Sequence, residues 1–312
     1  MSAKHEKYQR LIEFCKSLPP TPTAVVHPCD RSSLEGALQA AKLGLIEPIL
    51  VGPRDKIEAT AKAADIDISA CTIVEAPHSH AAAEAGVRLV REGKAEALMK
   101  GSLHTDELMG AVVQRDSGLR TARRVSHCFV MDVPSYEHAL IVTDAAVNIA
   151  PTLEEKADIL QNAIDLAHAL RVDDVRVAIL SAMETVNTKV PSTIEAAALC
   201  KMVDRHQITG AVVDGPLALD NAISLEAAKI KKIDSPVAGR ANVLLVPDLE
   251  AGNMLAKSLS FLAGADAAGI VLGARVPVIL TSRADSVMTR MASCAVAVLF
   301  AKWRREGGKL LA

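Results

Sequence analysis

Two short runs carry the donors that an anionic group would need. They are Lys100-Gly101-Ser102-Leu103-His104-Thr105 and Thr281-Ser282-Arg283-Ala284-Asp285-Ser286, and each follows an apolar segment and leads into a predicted helix. A glycine turn at a helix start exposes backbone amides that bind phosphate well. Ser102 and Thr105 add hydroxyl donors, and Lys100 and His104 add charge or N–H groups. In the second run Ser282 stands beside Arg283, whose guanidinium is a rigid fork suited to phosphate oxygens. Each run alone also reads as an ordinary capped helix start, with Ser102 or Thr105 as the cap and Arg283 in a surface ion pair. Two such runs in one chain favour a shared anion site, which requires a fold that brings them to one cleft. Neither is a Walker loop, which has more glycines and a Gly-Lys-Ser/Thr end. The chemistry they point to is that of an enzyme for phosphorylated substrates.

Other polar groups stand where such a cleft would need them. Arg120, Arg123 and Arg124 form a basic group before an apolar strand, either as phosphate ligands or as a solvated, ion-paired face. Asp144, Asp214 and Asp248 each follow an apolar strand, a common place for cleft residues in α/β folds. Aspartates there also make turns by accepting from their own backbone. Glu184 to Asn187 and Lys189 follow another strand and could line the cleft. The run Asp248-Leu249-Glu250-Ala251-Gly252-Asn253 leads into a helix that carries Lys257, and Asn253 or Asn221 could cap a helix or touch ligand. Spacing assigns no Ser-His-Asp or Cys-His set.

The elements that must position these groups alternate regularly. Predicted strands at Thr23–His27, Ile46–Val51, Cys71–Ala76 and Ala97–Met99 are separated by helices at Ser32–Leu43, Asp55–Ala63 and Ser79–Glu92. Ser32 or Ser33 is the expected cap of the first of these. That rhythm is the signature of a parallel sheet covered on both faces. It changes after Thr105. A helix at Asp106–Gln114 is followed by closely spaced strands, Arg123–Val133 and Ala139–Thr143, which predict a hairpin or an antiparallel margin. A long amphipathic helix, Leu153–Ala169, precedes further alternation, and Ser286–Lys302 closes the chain. We expect an α/β protein of mostly parallel sheets with helices on both faces. Its first domain is discontinuous, residues 1–122 plus 273–312, its second is 123–272, and the active cleft lies between them.

Composition narrows the function. The chain has 312 residues, half of them hydrophobic but only 2% aromatic, so the core is mostly aliphatic and the composition argues against a base-stacking nucleic-acid surface. With 35 basic and 37 acidic residues there is no basic footprint for a duplex. The 6 cysteines are scattered, without a C-x-x-C pair or a zinc-like cluster. Free thiols in a reducing compartment are expected. Met1 to Arg10 is charged rather than apolar, and Ala265 to Leu280 is too short and too polar for a membrane span. These features predict a cytoplasmic protein.

Several separate motifs then fall in a specific order. Met99 to Asp106, Ile141-Val142-Thr143-Asp144-Ala145-Ala146-Val147-Asn148, Val213-Asp214-Gly215-Pro216, Val246-Pro247-Asp248-Leu249, Ala251-Gly252-Asn253-Met254 and Thr281 to Ser286 together resemble the phosphate acetyltransferase and phosphate butyryltransferase family. The resemblance extends over nearly the whole chain and is greatest to the stand-alone or hydratase-associated acetyltransferase branch, although no hydratase-like module is visible. It implies a two-domain fold like the isocitrate and isopropylmalate dehydrogenases, and transfer of an acyl group, acetyl preferred, between coenzyme A and inorganic phosphate. Acetyl-CoA, phosphate and acetyl phosphate are then substrates, with no permanently bound cofactor and no metal, and the protein is a homodimer or larger. It implies catalytic roles for Ser282, Arg283 and Asp285, phosphate contacts from Ser102, His104, Thr105, Arg120 and Arg124, and coenzyme A contacts from Asp214, Asp248, Asn253 and Lys257. The chain departs from the family pattern at three places. The stretch Glu107-Leu108-Met109-Gly110 lacks an arginine, Thr289 stands where the family has an aspartate suited to be the thiol base, and Phe261 replaces an arginine. Asp285 is the expected substitute base or a holder of Arg283. The alternatives are butyryl transfer, a metal-dependent decarboxylating dehydrogenase whose metal is held by Asp144, Asp214 and Asp248, and a non-catalytic coenzyme A-binding protein.

Overall fold

The computed structural model describes residues 6–280 and 285–308. The chain forms two compact units: Ser126–Ala267 builds one, and the described residues before and after that segment build the other.

The discontinuous unit begins with α1 (Glu6–Cys15), then β1 (Thr21–Val26), α2 (Arg31–Lys42), β2 (Ile46–Gly52), α3 (Arg54–Ala64), β3 (Thr72–Glu75), α4 (Ser79–Arg91), β4 (Ala97–Lys100) and α5 (Thr105–Val112). After the inserted unit the chain supplies further strands and a long helix, described below. β1 has Ala24, Val25 and Val26 fully buried, as a strand covered on both faces must. It pairs in parallel with β2 on one side and β4 on the other, and β3 extends the sheet beyond β2. The α4 face toward this sheet is Ala82, Ala83, Gly86 and Val87. Small residues let the helix lie close: a Cβ at Gly86 would stand 2.8 Å from Val26 Cγ2. The cap of α2 differs from the sequence expectation. Asp30 accepts from Ser33 N at 2.8 Å and from Ser32 Oγ at 3.1 Å, so the aspartate outcompetes both serines for the cap.

The inserted unit contains β5 (Ser126–Asp132), β6 (Leu140–Thr143), α6 (Leu153–Ala169), β7 (Arg176–Leu180), α7 (Pro191–Asp204), β8 (Val212–Leu217), α8 (Leu219–Ile223), α9 (Leu225–Ile230), β9 (Val243–Leu245) and α10 (Leu249–Leu262). Its sheet runs β5-β6-β9-β7-β8. β5 and β6 are antiparallel, with Phe129 opposite Val142, and the other neighbours are parallel. The antiparallel margin was legible in the closely spaced strands. The limits of α6 follow from its cap: Thr152 accepts from Glu155 N while Glu155 accepts from Thr152 N, a full capping box. β8 runs two residues beyond Gly215, so Asp214 lies inside a strand and not after one. Met131, Leu140, Ala178, Leu180 and Leu244 form the core of this unit, with Phe129 and Tyr136 packed on it.

The chain returns through β10 (Asp266–Leu272), β11 (Val278–Ile279) and α11 (Val287–Arg305). β11 pairs in parallel with β4 and antiparallel with β10. α11 is buried along most of its length, and α1 packs on it, where Cys15 Sγ approaches Ala295 O at 3.5 Å. No helix of the described residues is long and apolar enough to cross a membrane.

Candidate active site

The turn from β4 to α5 is built on the neighbouring strand. Gly101 N donates to Val26 O and Ser102 N to His27 O, each at 2.9 Å. Gly101 is required by this approach: a Cβ there would stand 2.4 Å from Val26 O and 2.6 Å from His27 O. Both are backbone atoms, which cannot swing away. Ser102 Oγ donates to His27 O at 2.8 Å and accepts from Cys29 N at 3.2 Å. Neither expected cap is realised. Ser102 is committed to the β1 turn, Thr105 is the first residue of α5, and His104 holds the cap position without a side-chain hydrogen bond. His104 and Thr105 are exposed. Asp106 and Glu107 occupy the first turn of α5, and His80 Nε2 lies 3.8 Å from Glu107 Oε1. These carboxylates complement the helix dipole and oppose a second anion there, whereas the helix amides and Lys100 favour one.

Ser282 and Arg283 lie outside the described residues. Asp285 is half-buried, and its backbone carbonyl accepts from Arg290 Nη2 at 3.0 Å. Arg290 is buried and also donates through Nη1 to Ser32 O at 2.9 Å. Sequence reasoning passed over Arg290, because an arginine inside a helical run reads as surface. Ser286 caps α11 by accepting from Thr289 N, and its hydroxyl donates to Thr289 Oγ1 at 3.1 Å. Thr289 is buried and its carbonyl accepts from Ser293 Oγ, so this position serves the helix end. Arg120 pairs across an isolated bridge with Ala274 and is exposed, as is Arg124. Arg123 is buried, and its charge together with burial lowers the pKa of Arg304, burial being the larger cause. The three arginines therefore do not form one exposed group.

In the inserted unit the carboxyl ends of β6 and β9 come together. Asp144 is buried and its oxygens accept from His127 N at 3.2 Å, Ala146 N at 2.9 Å, Val147 N at 3.0 Å, Asn148 N at 3.3 Å and Asn148 Nδ2 at 2.6 Å. Both oxygens are thus occupied by donors, which suits a turn and not a metal ligand. This turn lies against α10: Asn253 Nδ2 donates to Ala145 O at 3.2 Å, and a Cβ at Gly252 would stand 2.7 Å from Asp144 O. Asn253 caps nothing. Asp248 does, accepting from Ala251 N at 2.8 Å. Asp214 Oδ1 accepts from Gly215 N at 2.9 Å. Lys257 is exposed. Asn221 is buried inside α8 and donates to Glu184, which also accepts from Lys231 Nζ at 3.1 Å. Asn187 O accepts from Thr193 Oγ1 and Asn187 Oδ1 from Lys189 N, so Asn187 closes the turn before α7. Phe261 is 86% exposed.

Two histidines that spacing did not single out are shifted by burial. His127 is fully buried beside Phe129, and desolvation pushes its pKa down to about 4, against the pull of Asp144. His27 is also lowered, first by burial and then by Lys56. None of the cysteines is an activated nucleophile. Burial pushes Cys15, Cys128 and Cys294 up to about 12 and Cys29 and Cys200 up to about 11, and raises Cys71. Among the described residues no group of three or more His, Cys, Asp or Glu side chains is placed to hold a metal ion.

The phosphate acetyl/butaryl transferase family profile matches residues 78–298. The chain is 63% identical over 303 residues to a phosphate acetyltransferase of Rhizobium meliloti, covering 97% of this chain and 96% of that one. It is 41% identical over 296 residues to a phosphate butyryltransferase of Clostridium acetobutylicum, covering 95% and 98%. A branched-chain phosphotransacylase from Enterococcus faecalis V583 has a similar structure, with a TM-score of 0.79 and 29% identity over 90% of this chain and 99% of that one. The profile spans more than half of the chain and these relatives match it over nearly its full length, so the chain belongs to the phosphate acetyl/butyryl transferase family.

Proposed function

We propose that the chain is a phosphate acetyltransferase that moves an acetyl group reversibly between coenzyme A and inorganic phosphate. Its near full-length likeness to an acetyltransferase carries this reading. The coenzyme A thiol loses its proton and attacks the carbonyl carbon of acetyl phosphate. The S–C bond forms, the C–O bond to phosphorus breaks, and phosphate leaves with the electron pair. Ser282 and Arg283 stabilise the leaving phosphate, together with the helix-start amides that follow Ser102 and the Thr105 hydroxyl, and Asp285 either takes the thiol proton or holds Arg283. Fixed donors help most where charge grows in the transition state. The high pKa of every cysteine supports direct transfer over a thioester on the protein. In this reading His104 offers a ring N–H to the phosphate, Arg120 and Arg124 contribute positive potential, and Asp214, Asp248, Asn253 and Lys257 contact coenzyme A. Ser102 acts through the turn, since its hydroxyl is committed to the backbone of His27 and Cys29 between β1 and α2.

A thiol-release assay with acetyl-, propionyl- and butyryl-CoA, with and without phosphate, tests the proposal. Phosphate-dependent release fastest with acetyl-CoA is expected. Release fastest with butyryl-CoA would favour the second reading, phosphate butyryltransferase, which the butyryltransferase relative supports. Absence of turnover would favour a binding protein. Arg283→Ala should lower phosphate-dependent turnover by roughly 30- to 1,000-fold. We further propose kinship with the isocitrate and isopropylmalate dehydrogenase architecture, supported by the excursion of the chain through an inserted unit and back. We also propose a homodimer or larger assembly in the cytoplasm. Light scattering over a dilution series tests the assembly, and an active monomer throughout would reject it.

A further inference from the structure

The backbone of His27 is left-handed, with φ of 55°, at the carboxyl end of β1. A residue with a Cβ holds that conformation only where its surroundings demand it. Here they are dense. His27 N donates to Val51 O at 2.6 Å, and His27 O accepts from Cys29 N at 2.8 Å, Ser102 N at 2.9 Å and Ser102 Oγ at 2.8 Å. The ring returns to the same hydroxyl, with Nδ1 3.2 Å from Ser102 Oγ. One tautomer follows. A serine has one hydroxyl proton, and an oxygen 2.8 Å from a carbonyl oxygen must place that proton between them. Nδ1 must then carry its own proton and donate to Oγ, which leaves Nε2 bare in the neutral ring. Protonation adds a proton at Nε2 and leaves the Nδ1 donor in place.

We propose that His27 is a positioning residue of the acyl-transfer site: through Nδ1–H and its carbonyl it clamps Ser102 and so sets where the Gly101–Thr105 turn presents Thr105 and the helix-start amides that follow Ser102. This rests on the reading that the turn meets phosphate. The clamp has no slack, because Gly101 already sits against Val26 O and His27 O without room for a methyl group.

Asparagine at position 27 tests it. Its amide N–H superposes on Nδ1–H, and asparagine tolerates the left-handed backbone. Glutamine places its amide nearer the position of Nε2 and cannot reach Ser102 in the same way. His27→Asn should keep the phosphate KM within about threefold of the parent, whereas His27→Gln and His27→Ala should raise it about tenfold or more with the coenzyme A KM unchanged. Ser102→Ala should add little to His27→Gln, since both remove one clamp. A long-range proton–nitrogen spectrum of 15N-histidine-labelled protein should show the His27 ring protonated at Nδ1, the signal being assigned by its loss in His27→Asn. A ring protonated only at Nε2 would overturn the clamp, and so would equal phosphate KM values for the parent, Asn and Gln enzymes. Thr105→Ala separates the two layers of the argument. If it leaves the phosphate KM unchanged, the phosphate reading of the turn fails and the proposal with it. If it raises the KM while His27→Gln does not, only the positioning role fails.

Discussion

Acid should destabilise the inserted unit through one buried imidazole. His127 has its pKa pushed from 6.5 down to about 4 by complete burial, and its Nδ1 has no hydrogen-bond partner among the described residues. The folded state therefore holds the ring neutral, while the unfolded chain takes up a proton near pH 6.5. Between pH 6.5 and about 4 the unfolded state binds more protons, so stability is full above that window and is lost as pH falls through it. At about 1.4 kcal/mol per pH unit, the loss between pH 7.5 and 4.5 is on the order of 2–3 kcal/mol. His127→Phe removes the titration and keeps a ring against Phe129, whose centroid lies 4.3 Å from that of His127. Urea unfolding followed by far-UV circular dichroism at both pH values gives the comparison. The stability of the parent relative to His127→Phe should fall by about 2–3 kcal/mol on acidification. A gap between the two proteins that changes by less than about 0.5 kcal/mol would refute the reasoning, because it would mean that His127 titrates alike in both states.

Gly101→Ala should destabilise by roughly 1–3 kcal/mol, because its methyl group meets backbone oxygens, and should raise the phosphate KM. Gly110→Ala is the matched control: it lies within α5 with open space around it, so thermal melts should show a gain of about 0.5–1 kcal/mol. Asp144→Asn replaces an oxygen that only accepts with an amide facing N–H donors, and should cost on the order of 2–4 kcal/mol in urea titrations. Glu195→Gln should destabilise by about 2 kcal/mol or more by leaving the ammonium of Lys156 without its counter-charge. That side chain is 6% exposed in the ion pair, and a variant as stable as the parent would show the pair to be idle.

The order of strands and helices was legible because their periodicities and stop signals are local. Thr152 and Glu155 specify the start of α6 from their spacing alone, and the small residues of α4 announce a helix laid close on a sheet. The family was legible for a different reason: motifs such as Asp144 to Asn148 and Asp248 to Asn253 sit at strand ends in a specific order, and order along the chain survives without coordinates. What each polar group does there was not legible. A hydrogen bond is decided over about 3 Å, and partners at that range come from segments distant in sequence. Ser102 reads as a helix cap or a phosphate donor, yet it is spent on His27, 75 positions away. Asp144 reads as a cleft carboxylate, yet its oxygens are filled by the turn that follows it. Asn253 reads as a cap, yet Asp248 caps α10 and Asn253 ties that helix to Ala145. His27 and His127 carry no motif at all. Their tautomer and protonation come from burial and from neighbours that only the packed sheets supply, so tertiary structure alone decides them.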